Sequence, residues 1–498
     1  MISKHIAAIE IGSSLIKGIV ATAEPDGRLR VVAVDETASG DTVRFGRIQN
    51  AREAGDLIND LLRRLENHPK VAPGHITALF IADGGRSLKS ASSEASLNFG
   101  NEEEITKRTL DRLHKEALFN LGTERDILAI APRRFFVDST EVKKIVGTFG
   151  SNVRGEFTII TQAPENHRAL ERLIIESKGE DVKRDYVTRL LAQTEMALSD
   201  SDRQVGSLFI DFGAETTSMA AFREGALVFA ATIPVGGANI TRDLSAALNV
   251  TFEKAENLKR IKGEVIVDRA KYDAPDEEMR EIVGLVSARA GEIVANVNNI
   301  LELAGFRPSD FPGGLVITGG ATRLKGFPEM VQQLTKMKVR EAEVSDAVIS
   351  GEIGLNLNDN FDIIALARYA AVHSDMDCVE FPAGHEVPSQ PAAAEEKPAE
   401  RKPVERTSAT AEPERKPSAP AAQHGRRMIS EDDPNLLKDD EHIVQPANVN
   451  KVDEPEGNDP NQLPKPSPDA NRTRFNLLQK IKGLMKPPIE GEDGGMDE

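Results

Sequence analysis

Two stretches decide the fold: IAAIEIGSSLIKGIVA at residues 6–21 and SLFIDFGAETTSMAAF at residues 207–222. Each runs through an apolar segment, an acid, one residue, a glycine, small hydroxyl residues and a second apolar segment. A β-prone run that is broken by glycine and then resumed predicts a hairpin. The acids are Glu10 and Asp211, and the glycines are Gly12 and Gly213. Because acid, glycine and hydroxyl coincide in both, the chain is predicted to be an α/β protein of two similar lobes, each opened by an acidic hairpin. Chance likeness of two apolar hairpins is the competing reading.

Outward from the first hairpin, strands are predicted at 6–11, 15–23 and 29–34, and again at 75–82. A helix over 51–66 places Leu57, Ile58, Leu61, Leu62 and Leu65 on one face. Residues 86–165 give a different mix. A Ser-rich extended segment is followed by a helix across NEEEITKRTLDRLHKEAL (101–118) and by strands near 127–131 and 157–161. That mix predicts a small inserted α+β unit. Helical patterns return at 165–177 and 186–198.

A hairpin with glycine at its tip presents backbone N–H groups as a concave nest for phosphate oxygens. In the first hairpin Gly12, Ser13 and Ser14 would form the nest, and Lys17 on the exit strand would reach a phosphate as a point charge. In the second, Gly213, Thr216 and Thr217 would face it. Glu10 and Asp211 are candidate Mg²⁺ holders, through water, because Mg²⁺ keeps several of its waters. A third element, LVITGGATRLKGF (315–327), is a strand running into Gly319, Gly320 and Ala321. Small residues there let the backbone approach a ribose or a flat ring. In FEKAENLKRIKG (252–263), Glu256 and Lys259 lie three apart on one helix face. Alone, a Gly-Gly after a strand is more often a tight turn, and such a Glu/Lys pair a solvated face. The order of the three elements is the specific signal.

That order resembles the actin-like ATPase superfamily, with the two hairpins as its phosphate loops and LVITGG as its adenosine loop. Within the superfamily, residues 4–375 resemble the FtsA family of bacterial division proteins. The matching segments are NEEEIT with its helix, ILAIAPRRFFVD (127–138), IPVGGANITRDLSAAL (233–248) and AENLKRIKG (255–263). The resemblance implies a two-lobed actin-like fold of duplicated ribonuclease-H-like lobes. Subdomain 1A would cover 1–85 and 166–204, an inserted subdomain 1C 86–165, and subdomains 2A/2B 205–380. It implies ATP and Mg²⁺ as ligands, with Gly236 and Gly237 joining the nucleotide set. It also implies self-assembly into filaments and capture of the FtsZ C-terminal peptide by Arg289 and Glu292 of SARAGEIVANVNNIL (287–301). That spacing equally makes an ion pair within the helix. Many relatives have Asp-x-Gly-Gly-Gly-Thr in the second phosphate loop, where this chain has Asp211-Phe212-Gly213-Ala214-Glu215-Thr216. Glu215 would repel phosphate or help to hold the metal. Gln193 and Glu195 are candidates to position water, or face solvent. ATP binding with weak or absent hydrolysis is therefore expected.

The 498 residues carry 62 basic and 80 acidic side chains, a net charge of −18, which argues against nucleic acid as a partner. Cys378 is the single cysteine, so no intramolecular disulfide forms, and a cytosolic setting is expected. The histidines and Cys378 give no zinc-ligand spacing. The opening MISKHIAAIEIG lacks a secretory pattern. The longest uncharged stretch, 225–241, carries Pro234, Gly236 and Gly237 and is too short to span a bilayer. Aromatics make up only 4% of the chain, a sign that part of it is not packed.

That part is predicted at 381–470, which holds 15 of the 27 prolines; no aromatic residue follows Phe381 until Phe475. Such a composition cannot offset the entropy of ordering, so a disordered tether is expected, with an r.m.s. span of roughly 50 Å. After it, residues 471–486 carry Phe475, Leu478, Ile481, Leu484 and Met485 at helical spacing, with Arg472, Arg474, Lys480, Lys482 and Lys486 and no acid. Pro487 and Pro488 stop the pattern, and a disordered tail of 487–498 follows. This has the form of an interfacial membrane helix; docking into a protein groove is the alternative. The FtsA family carries such a helix after a flexible linker. The whole chain thus reads as an actin-like adaptor that tethers FtsZ filaments to the inner leaflet of the cytoplasmic membrane at the division site and recruits other division proteins. The alternatives are a pilus-assembly adaptor resembling PilM, or a sugar or acid kinase on the same fold. A chaperone of the Hsp70 type is disfavoured because no β-rich substrate domain follows residue 380.

Overall fold

The computed structural model describes residues 4–268, 272–345, 347–350 and 356–382. The chain opens with β1 (Lys4–Ile11), β2 (Leu15–Ala23) and β3 (Leu29–Ala38), an antiparallel meander whose near-continuous apolar runs are buried. A small hairpin, β4 (Val43–Arg44) and β5 (Arg47–Ile48), leads into α1 (Ala51–Glu66). The helix starts where it does because the Asn50 side chain accepts from the Glu53 N–H, and it buries Ile58, Leu61, Leu62 and Leu65. β6 (His75–Ile76) and β7 (Ala78–Asp83) follow, β7 lying parallel to β1.

The inserted unit is β8 (Lys89–Glu104), α2 (Lys107–Leu121), β9 (Asp126–Val137), β10 (Thr140–Val142) and β11 (Phe149–Gln162), with its own core around Phe157, Leu113 and Ile159. Its helix begins six residues later than the sequence suggests. Gly150 and Phe149 pair with Glu103 and Glu104, which keeps the acidic run in β8, and a Thr106–Thr109 capping box starts the helix. The chain then forms α3 (Pro164–Lys178), β12 (Lys183–Thr188), α4 (Arg189–Ala197) and α5 (Asp200–Val205). The helix expected over 186–198 therefore loses its first turn. Tyr186, Val187 and Thr188 are drawn into a parallel ladder against Ile81, Ala82 and Asp83.

The second lobe is β13 (Ser207–Phe212), β14 (Thr217–Arg223), β15 (Ala226–Ile233), α6 (Gly237–Ala247), α7 (Phe252–Lys262), α8 (Glu277–Leu303), β16 (Leu315–Thr318), α9 (Phe327–Thr335) and β17 (Val339–Glu341). Then come β18 (Ile349–Ser350), α10 (Phe361–His373) and β19 (Val379–Glu380). These last three return to the first lobe. β18 pairs with β3, and Ile363, Ile364, Leu366 and Ala370 of α10 join the core beneath β1 and β2. The expected 2A/2B block of 205–380 therefore stops short of its predicted end.

The first sheet has the order β12-β7-β1-β2-β3-β18. The second has the order β10-β9-β11-β8-β15-β14-β13-β16-β17, so the inserted unit and the second lobe share one sheet. The join is Ala231 opposite Lys89, reinforced by Thr232 N–H donating to Leu88 O (3.0 Å) and by the Thr158 hydroxyl donating to Leu227 O (2.7 Å). An apolar cluster of Leu88, Ile160, Phe209, Leu227 and Phe361 lies under it. No helix among the described residues is long and apolar enough to cross a membrane. The expected tether from 383 onward, the expected basic helix of 471–486 and the expected tail of 487–498 lie outside the described residues.

Candidate functional site

Both hairpins form as read. The Gly12 N–H donates to Leu15 O and the Gly213 N–H to Thr216 O, each at 3.0 Å. A Cβ at either glycine would come within 2.9 Å of that same carbonyl oxygen, so only glycine closes the turn this tightly. Ser13 Oγ accepts from the Gly46 N–H at 2.9 Å, and the Ser39 hydroxyl donates to Gly12 O at 2.6 Å. The β4–β5 hairpin is thereby fastened beside the first loop. Ser14 takes part through its carbonyl, which accepts from the Ser39 N–H.

The second-lobe residues gather at one place. Gly237 N–H donates to Gly213 O (3.0 Å) and Ala238 N–H to Ala214 O (2.7 Å), so the N-terminus of α6 caps the second hairpin. A Cβ at Gly236 would sit 2.5 Å from Gly213 O. One at Gly319, whose φ is +100°, would sit 2.4 Å from Phe212 O and 2.6 Å from Asp211 Oδ1. Gly237 would meet Ala321 and Lys259 at 3.7 and 3.9 Å, whereas Gly320 faces open space. Lys259 Nζ donates to Glu256 (2.6 Å) and to the Thr241 hydroxyl (2.9 Å), and Thr241 donates to Glu256 (2.5 Å). Burial lowers the Lys259 pKa against the opposing pull of Glu256. The Thr217 hydroxyl bonds Val235 O, a packing role, and the Thr216 side chain is buried beside Gly213.

The two acids at the hairpins differ from the sequence reading. Glu10 and Asp211 do come together, but a guanidinium spans them. Arg189 Nη1 lies 2.9 Å from Glu10 Oε1, and its Nη2 lies 3.3 Å from Asp211 Oδ2. Gln193, one turn further along α4, donates to Asp211 Oδ2 at 3.2 Å, and its own buried Oε1 has no partner. Asp211 is thus already committed to a cation, and Glu10 shares the same guanidinium. The pair is therefore occupied by that guanidinium rather than open to direct ligation of Mg²⁺, and the expected contact with the ion is through water; among the described residues no group of three or more His, Cys, Asp or Glu is placed to hold a metal. Lys17 also differs from expectation. It is buried and donates to both oxygens of Asp362 (3.0 and 3.1 Å) and to Asp359 O (2.9 Å), at the start of α10. Burial alone would lower its pKa, but Asp362 and Glu10 outweigh that and raise it. Burial, then the neighbouring Asp362, pushes Glu10 up to about 8.

Glu215 is engaged by the protein itself. It is buried, and it accepts from the Phe45 N–H (2.6 Å), from Arg44 Nε (3.0 Å) and from Arg242, a latch between the β4–β5 hairpin and the second loop. Glu195 pairs with His373 at 2.8 Å instead of joining Asp211. Arg289 and Glu292 make the intra-helix pair (2.6 Å), but Arg289 is also held bidentately by Asp243 (2.6 and 3.0 Å). Sequence reasoning missed Arg189, Asp362, Arg44, Arg242 and Asp243. For Arg189 a faint signal existed, since it lies four residues before Gln193 on one helix face.

A family model described as cell division protein FtsA matches residues 208–357, and one described as the SHS2 domain inserted in FtsA matches 85–161. The cell division protein FtsA of Porphyromonas gingivalis is 27% identical over 410 residues, covering 79% of this chain and 83% of that protein. The FtsA of Bacillus subtilis is 26% identical over 353 residues, covering 67% and 78%. Among solved structures, a chain of a PilM–PilN type IV pilus biogenesis complex aligns over 74% of this chain and 98% of its own, with a TM-score of 0.53 at 13% identity, a likeness of fold.

Proposed function

We propose, since the chain belongs to the FtsA family of bacterial cell division proteins, that its actin-like body binds ATP between the two hairpins and polymerises. In this reading it tethers FtsZ filaments to the inner face of the cytoplasmic membrane and recruits other division proteins. One observation carries the nucleotide part: the acids two residues before Gly12 and Gly213 meet at a single guanidinium, with Gly236, Gly237, Gly319 and Ala321 gathered beside the second hairpin. Backbone N–H groups in turns of this kind suit phosphate oxygens, although those of Gly12 and Gly213 themselves are spent closing the turns. Mg²⁺ enters as a companion of the triphosphate, held by phosphate and water, and not as a metal ligated by Glu10 and Asp211. Hydrolysis is expected to be slow, because Asp211 is held by Arg189 and Glu10, pushed up to about 8, is largely protonated, so neither is a free general base. The pilus-adaptor alternative has fold likeness alone in its favour, and the kinase reading has no acceptor-pocket base to support it.

Membrane attachment rests on residues 471–486. Each apolar side chain that inserts would contribute about 1.5–3 kcal/mol at most, and each basic residue near anionic lipid about 1 kcal/mol. A short helix is marginal in water, so one copy binds modestly and a filament binds by avidity. Electron microscopy on anionic lipid monolayers tests the whole reading. Filaments are expected with ATP, and bare monolayers at every nucleotide condition would overturn it. For FtsZ capture, an acidic tail peptide would compete with Asp243 and Glu292 for Arg289. Arg289→Glu should weaken a fluorescent FtsZ tail peptide by about tenfold or more; unchanged affinity removes these residues from the interface.

A further inference from the structure

Buried acids crowded together need a counter-charge, because desolvation and mutual repulsion both oppose ionisation; here Glu10 and Asp211 meet at one guanidinium, with Asp362 beside Glu10. In this chain the counter-charge is covalent. Arg189 is the first residue of α4, directly after β12, whose ladder to β7 fixes where the helix starts. Its two terminal nitrogens take one acid from each lobe, at 2.9 and 3.3 Å. A planar, always-charged fork is suited to this, and a divalent ion would have to dehydrate to replace it. The neighbouring charge is closed in the same way, with Lys17 paired to Asp362 at 3.0 Å. Arg189 still exposes 21% of its side chain, so it is not sealed from solvent.

We propose that Arg189 is a built-in counter-cation that takes the neutralising role at the cleft floor, so that a nucleoside triphosphate binds between the hairpins with nearly the same affinity whether or not a divalent cation accompanies it. The inference rests on the nucleotide reading above. The Gln193 amide donates to Asp211 and leaves its buried oxygen unpaired, an acceptor still open to a further donor beside the guanidinium.

The test is ATP binding by calorimetry to the full chain, once with excess Mg²⁺ and once with EDTA. Wild type should differ by less than about threefold between the two. Arg189→Gln should bind about tenfold or more weakly in EDTA and recover when Mg²⁺ is added back, because the ion can then enter between Glu10 and Asp211. Arg189→Lys, which keeps the charge, should remain insensitive to EDTA. If wild type loses about tenfold or more on chelation, the inference is overturned while the nucleotide reading stands. An Arg189→Gln protein as indifferent to Mg²⁺ as wild type also overturns it. Failure of wild type to bind ATP in either condition removes the nucleotide reading and this inference with it. Should Arg189→Gln not fold, the wild-type pair of titrations and Arg189→Lys still decide.

Discussion

Glu215 shows how one side chain changes meaning between sequence and structure. Beside a phosphate loop it reads as an intruding charge; in place it is the acceptor for two arginines and a backbone N–H. Arg44 and Arg242 also flank the Phe45 ring, at 5.8 and 5.3 Å from its centroid. Both arginines keep about a third of their side chains exposed, which screens the loss when the acid is removed. Glu215→Ala should therefore destabilise by about 2 kcal/mol rather than the larger figure of a sealed pair. Hydrogen exchange should show faster opening at residues 41–48, and unchanged protection there would exclude the latch. His114 supplies a pH dependence. Its ring is buried edge-on to Phe157 with neither nitrogen paired, and burial lowers its pKa from 6.5 to about 4. Between those values the unfolded chain binds the proton and the folded chain does not. Stability from keeping His114 neutral is thus complete above pH 6.5 and drains away as pH falls towards 4, by roughly 3 kcal/mol. His114→Leu should flatten the thermal midpoint between pH 7 and pH 5; an unaltered slope would count against it.

At the scale of elements, the glycines at the second hairpin are held by contact. Gly236→Ala would drive a Cβ into the carbonyls of Gly213 and Ala214, at 2.5 and 2.7 Å, and should push α6 off the loop it caps. The expected result is at least about tenfold weaker ATP binding with circular dichroism unchanged. Wild-type affinity would separate α6 from the site. The parts of the fold legible in sequence are those whose cause is local. α1 was readable to the residue because its apolar face repeats within the helix itself. The hairpins were readable because the glycine and its partner carbonyl are three positions apart. What escaped depends on distant partners. Arg189 meets Glu10 across 179 positions and Lys17 meets Asp362 across 345, and nothing near either residue announces the match. The first turn of the helix read over 186–198 was lost the same way, to a ladder with β7 that a helical period cannot foresee.

For the molecule as a whole, the terminal segment gives a separable prediction. Leu478→Glu combined with Ile481→Glu should abolish sedimentation with anionic vesicles and leave ATP titrations unaltered; a doubly substituted protein that still pellets assigns the segment to another partner. The seam between β8 and β15 has a mechanical corollary. The inserted unit is covalently an outgrowth of the first lobe, yet its hydrogen bonds knit it to the second. A hinge between the lobes cannot swing freely under that arrangement. Either the knitting shears, or the outgrowth is dragged along and its far border at β10 travels furthest. Whatever grips that border would feel the jaws move, and by the same leverage could hold them shut.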